Sequence, residues 1–160
     1  MNVHEAKLEL ALLESDVTEL SKIDFITYLT NAGIPQEIIQ RLSQLWEMTK
    51  RVGEESVAIG KIVFHKIWGF LKANPNLSAG MALGAAISVL IPFVGSVLMP
   101  VAVAVGALLG VRLDNYEEGN EMATDAVSIM HEAILLARKF FDLFVEIVDA
   151  VKAYWVSKDD

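Results

Sequence analysis

The chain has 160 residues, enough for one domain that buries roughly 68–70% of its unfolded surface, and no Cys, which excludes a disulfide framework, thiolate metal sites and a cysteine nucleophile. Apolar residues plus glycine make up about 58%, above the roughly 45–50% of soluble domains; with 21% charged residues, four Pro and ten Gly, disorder and collagen-like polymers are excluded. A net charge of -8 argues against nucleic acid as a partner, because polyanions are bound through clustered Lys and Arg that release counterions.

Glu5, Glu9 and Glu14 stand where a secretory leader needs a basic start and an apolar run, so cytoplasmic synthesis without a signal peptide is expected. Residues 4–14 predict a short helix with Leu8, Ala11 and Leu12 on one side. Ser21 and Asp24 have the spacing of a capping box before Phe25, Ile26, Tyr28 and Leu29. Asn31-Ala32-Gly33 predicts the stop, and Pro35 suits the first turn of the next helix. From there Ile38, Leu42, Leu45 and Trp46, then Val57, Ile62, Val63, Ile67, Phe70 and Leu71, follow a helical period interrupted at Gly53. One long or kinked helix to about Ala73 is expected, ended by Asn74-Pro75-Asn76. Ser78 or Asn76 should cap its successor.

Residues 73–111 carry no charge. A helix crossing the hydrocarbon core takes about 20 residues, and Pro92 divides this run into 19 residues on either side. Residues 93–111 hold ten Leu, Val or Phe side chains, about -3 to -6 kcal/mol of insertion free energy, whereas the six Leu, Ile and Val of residues 73–91 contribute only about -2 to -4 kcal/mol. The second half inserts alone; the first benefits from pairing. Gly80, Gly84 and Ser88, and again Ala102, Gly106 and Gly110, recur every four residues, leaving smooth strips where another backbone can approach within or between chains. Pro92 and Gly95 belong to the apolar turn, which should lie at an interface or under protein because exposed irregular backbone is not tolerated in lipid.

Residues 41–72 have a balance of +3 and residues 113–160 one of -7, so the two arms of a hairpin attract. Lys61, Lys66, Trp68 and Lys72 before the apolar run, and Arg112 after it, are candidate anchors at an anionic membrane interface; the competing reading is a solvated face with core aromatics. Asp114, Glu117, Glu118 and Glu121 form an acidic collar, either a vestibule that favours cations or a helix start complemented by acids. From about Tyr116 to Ser157 one long amphipathic helix is expected, with Ala133, Ala137, Phe140, Phe144, Ile147, Val151 and Tyr154 on its apolar side. Leu135, Leu136, Phe141, Leu143 and Val148 widen that side so far that the helix needs cover on two sides or lipid.

The fold class is therefore all-α: amphipathic helices over 1–73, a hydrophobic hairpin over 74–112 and an acidic helix over 113–160, in a single domain without any alternating strand pattern. This arrangement resembles the pore-forming domain of colicin-type toxins. The likeness lies in the Ala/Gly-rich apolar hairpin, residues 77–111, and its amphipathic flanks. It implies a protein that stores a hydrophobic hairpin in a helical shell and releases it into a bilayer, or assembles several hairpins into one pore. The chain departs from that pattern in its short length and in the long acidic helix after the hairpin.

Catalytic constellations are missing. Gly53 to Lys61 is no phosphate loop, since six residues separate Gly53 from Gly60 and Ile62 replaces the magnesium-binding hydroxyl. His4, His65 and His131 are scattered, without zinc or triad spacing, although His131 beside Glu132 suits an acid-triggered rearrangement. Asp142, Glu146 and Asp149 share a helical face and read best as a solvated stripe. The expectation is a non-enzymatic protein without cofactor or metal. Its partners would be a lipid bilayer and further copies of itself; the alternatives are a soluble module that presents its acidic helix to a helical protein partner, and a small integral membrane adaptor.

Overall fold

A computed structural model describes residues 2–109 and 125–156. Its helices are α1 (Val3–Ser15), α2 (Glu19–Asn31), α3 (Gln36–Leu45), α4 (Ile59–Ala73), α5 (Ala79–Leu109) and α6 (Asp125–Val151). The architecture is an all-α bundle. It also contains a small antiparallel sheet of order β2-β1-β3, from β1 (Lys50–Val52), β2 (Glu55–Val57) and β3 (Trp155–Val156).

Local chemistry sets the N-terminal helix boundaries. The Asn2 side chain accepts the Glu5 N–H at 2.9 Å and caps α1. Thr18, not Ser21, caps α2: its Oγ1 accepts the Ser21 N–H at 3.3 Å, so the helix begins one turn earlier than the Ser21/Asp24 spacing suggested. At its end Gly33 (φ +82°) closes a Schellman motif, with Gly33 N–H donating to the Thr30 carbonyl and Ile34 N–H to the Leu29 carbonyl. Ser78 Oγ accepts the Met81 N–H and caps α5.

The long helix expected from Pro35 to Ala73 is instead two helices separated by a β-hairpin. Helix α3 ends at Leu45, and Lys50↔Val57 and Val52↔Glu55 pair across a two-residue loop. Gly53 has φ +65° while Glu54 does not have a positive φ, the pattern of a type II′ turn with glycine first. Gly60 is required for a different reason: a Cβ there would lie 1.7 Å from the Leu45 carbonyl oxygen, so the start of α4 meets the end of α3 backbone to backbone. Helix α4 lacks a side-chain cap of its own; the Glu14 carboxylate, arriving from α1, accepts the Ala58 N–H and places negative charge at the positive end of α4.

One continuous core joins all these elements. Phe25 of α2 meets Phe64 edge-on at 4.5 Å and stacks on Trp68 at 5.2 Å, and Trp46 meets Phe64 at 5.1 Å. Helix α6 lies along α5 in the most extensive helix contact, with α1 also on α6 and α3 and α4 on α5. On α6 the buried residues Ala133, Ile134, Ala137, Phe141, Phe144, Ile147, Val148 and Val151 recur at helical spacing, a continuous apolar face of the kind that packs along neighbouring helices. Phe140 and Tyr154, expected on that apolar side, are largely exposed. The helix stops at Val151, where a 3₁₀ turn (Lys152–Tyr154) redirects the chain into β3, rather than running to Ser157.

Candidate functional site

The uncharged run folds into a hairpin. Along a straight 31-residue helix Gly80 and Leu109 would stand about 43 Å apart, yet a Cβ on Gly80 would lie 3.6 Å from the Leu109 side chain. The chain therefore reverses at Val94, whose φ and ψ of -131° and 34° are not helical. Pro92 explains the weak point, because it cannot donate to the Ser88 carbonyl. Each limb, 79–93 and 95–109, is about 22 Å long, short of the roughly 30 Å hydrocarbon core. Ala79–Leu109 is the helical element among the described residues that is long and apolar enough to cross a membrane by length and composition, and half of its most apolar window is buried.

The two limbs sit differently. In the first, residues 82–90 are buried without interruption, and Gly84 and Ser88 lie on that closely packed stretch. Among the described residues, Ser88 Oγ is buried without a hydrogen-bond partner. In the second, Val97, Leu98, Val101, Ala102, Val105 and Gly106 face the core, while Ser96, Met99, Pro100, Val103 and Ala107 form an uncharged stripe open to solvent, with Val103 66% exposed. Gly110 lies outside the described residues.

At the tip, Pro92 and Ser96 are exposed and Gly95 has open space above it. Two lysines reach this turn. Lys50, only 7% exposed, donates from Nζ to Ser96 Oγ at 3.0 Å. Lys152 donates from Nζ to the Pro92 carbonyl at 3.0 Å and lies 5.7 Å from the Phe93 ring centre. The sequence carries no signal for these contacts beyond Gly53, whose place before an acidic pair marks the turn that brings β1 under the tip.

The basic arm forms a second cluster. Lys61, His65, Trp68 and Lys72 share one partly exposed stripe of α4. Lys61 and, from α2, Lys22 lie 5.4 and 5.7 Å from the Trp46 ring centre, and Lys72 lies 5.3 Å from that of Trp68. Trp46 is core, its Nε1 donating to Glu19 at 3.0 Å, and Trp68 stacks between Phe25, Tyr28 and the Lys72 ammonium. Lys66 is partly buried on another face of α4. Burial, with Lys66 and then Lys72 adding to it against the opposing pull of Asp16, holds the His65 imidazole below its ordinary range.

Arg112 and the collar Asp114, Glu117, Glu118 and Glu121 lie outside the described residues. His131, Glu132, Lys139, Asp142, Glu146 and Asp149 are exposed along α6. Among the described residues no three His, Asp or Glu side chains are grouped so as to hold a metal ion. No family model matches this chain, and neither a curated protein nor a solved structure does.

Proposed function

We propose that this chain is a non-enzymatic, membrane-inserting helical protein whose apolar hairpin enters a bilayer, associates with other copies and permeabilises it, in the manner of a toxin-like or defence-like effector. One observation carries the reading: an uncharged stripe of the second limb faces water within a 39-residue run that has no charge to solvate it. In water that stripe is an apolar surface waiting for a less polar neighbour. In lipid it is matched, and the second limb is the half with enough Leu, Val and Phe to enter without help. The basic arm would rest among anionic headgroups, and the small-residue strips Gly80/Gly84/Ser88 and Ala102/Gly106/Gly110 would join limbs of neighbouring copies.

Limbs of about 22 Å suit a re-entrant or thinned arrangement unless their ends wind further into helix. Dye release from vesicles and alkaline carbonate extraction test the proposal: release together with carbonate-resistant protein is expected. A monodisperse protein that leaves vesicles intact and is fully extracted by carbonate would overturn it. The unbroken burial of residues 82–90 supports the competing reading, a soluble helical interaction module with the hairpin as its permanent core, and that result would establish it.

A further inference from the structure

We infer that Lys50 and Lys152 form a latch on the hairpin tip, holding residues 92–96 against the small sheet and keeping α5 folded into the bundle until both contacts break. The latch names the regulation of the proposed bilayer-inserting hairpin and, in its purpose, rests on that reading.

The hairpin is tethered to the chain at residues 79 and 109, so withdrawal from the bundle has to begin at its tip. Packing holds only the inner side of that tip, through buried Val94 with Ile91 and Phe93 against the core; on its outer side Pro92 and Ser96 are exposed and nothing lies over Gly95. The two lysine contacts fall on either side of the non-helical residue Val94, one on the Pro92 carbonyl and one on Ser96 Oγ, and thus bracket the bend. An ammonium donor strengthens each bond relative to a neutral pair. Neither lysine reaches the tip through its own neighbours in sequence. Val52 pairs with Trp155, and Gly53 N–H donates to the Tyr154 carbonyl at 3.2 Å, so the sheet ties the chain carrying Lys50 to the turn carrying Lys152. Lys152's placement therefore depends on the ladder between β1 and β3, while Lys50 is also held by its pairing with Val57 of β2, so parting β3 from β1 releases the Lys152 contact first. A sheet of two- and three-residue strands in an otherwise helical protein thereby acquires a purpose.

The absence of cysteine makes a single engineered thiol unique. Val94→Cys, at a buried position beneath the latch, reports tip opening through its labelling rate with a water-soluble maleimide, and Leu29→Cys in the core at α2 reports global opening. Combining Lys50→Met with Lys152→Met should accelerate labelling at position 94 about tenfold or more and leave position 29 unchanged. No acceleration at position 94, or equal acceleration at both, would overturn the latch. Should the double variant fail to fold, Lys152→Ala, which removes an exposed side chain and keeps Lys50 in place, should still accelerate labelling at position 94 alone; an unchanged rate overturns the proposal. Dye release separates the two ideas: faster labelling with vesicles left intact sustains the latch and removes the bilayer reading.

Discussion

The two limbs of the hairpin are alike in length and in lacking charge, yet one is swallowed by the bundle and the other shows a face to water. The exposed limb is no less apolar than the sealed one. Residues 95–109 hold seven Leu or Val and residues 79–93 six Leu, Ile, Val or Phe, and still Met99, Val103 and Leu108 are open while residues 82–90 are sealed. Burial here follows shape rather than greasiness. Ala82, Gly84, Ala85, Ala86 and Ser88 let neighbouring elements approach the first limb from every side, as close-packed interiors require. The second limb covers the first with one face and keeps the other free.

Several measurements break or sharpen this contrast. A lesion outside both limbs sets the scale: Gly60→Ala drives a methyl group into the Leu45 carbonyl and should cost on the order of 4 kcal/mol or leave the chain unfolded, read by urea denaturation. Within the sealed limb, Leu83→Ala at a fully buried site should lower stability by about 2–5 kcal/mol. Equal losses from Leu83→Ala and Val103→Ala would erase the distinction between the limbs. Ser88→Ala removes a buried hydroxyl without a partner among the described residues and should raise stability by about 1 kcal/mol; a loss of that size would mean that the hydroxyl is bonded.

Acid should loosen the whole bundle modestly through His65. Its folded-state pKa lies below the unfolded one, so the unfolded chain binds the proton first; stability is fully present above the ordinary value of about 6.5 and declines as pH falls through it. His65→Gln should flatten that part of the stability–pH curve, and an unaltered slope would assign the acid sensitivity elsewhere. The smallest effect on folding belongs to the open stripe. Val103→Asp should change stability by less than about 0.5 kcal/mol while opposing insertion by roughly 3 kcal/mol, so vesicle leakage should collapse with the melting midpoint unmoved. Undiminished leakage would show that the open stripe does not meet lipid.

Much of the fold was legible because its signals are local. The stop at Gly33, the break at Asn74-Pro75-Asn76 and the cap at Ser78 each follow from what a few adjacent residues allow their own backbone to do. The β-hairpin was missed because strands of three residues are too short to show alternation, and Val57 fits a helical period as readily as a strand. Phe140 was misplaced for a related reason: an apolar side so wide offers several seams, and periodicity alone does not select the one that α5 occupies.

The candidate site divides in the same way. The run without charge, its bend near Pro92 and its small-residue strips can be read from the chain directly, since charge, proline and glycine act where they stand. That Lys50 and Lys152 meet the bend, that Glu14 caps α4, and that Trp46 sits inside the core with Glu19 on its indole are products of tertiary structure. Each joins residues far apart along the chain, and no local preference of either partner encodes the meeting. Sequence thus determined that a long apolar segment had to be hidden from water and would fold as helix. Only the packing of the other helices and the small sheet decided which limb is hidden, because that depends on how surfaces fit rather than on how apolar they are.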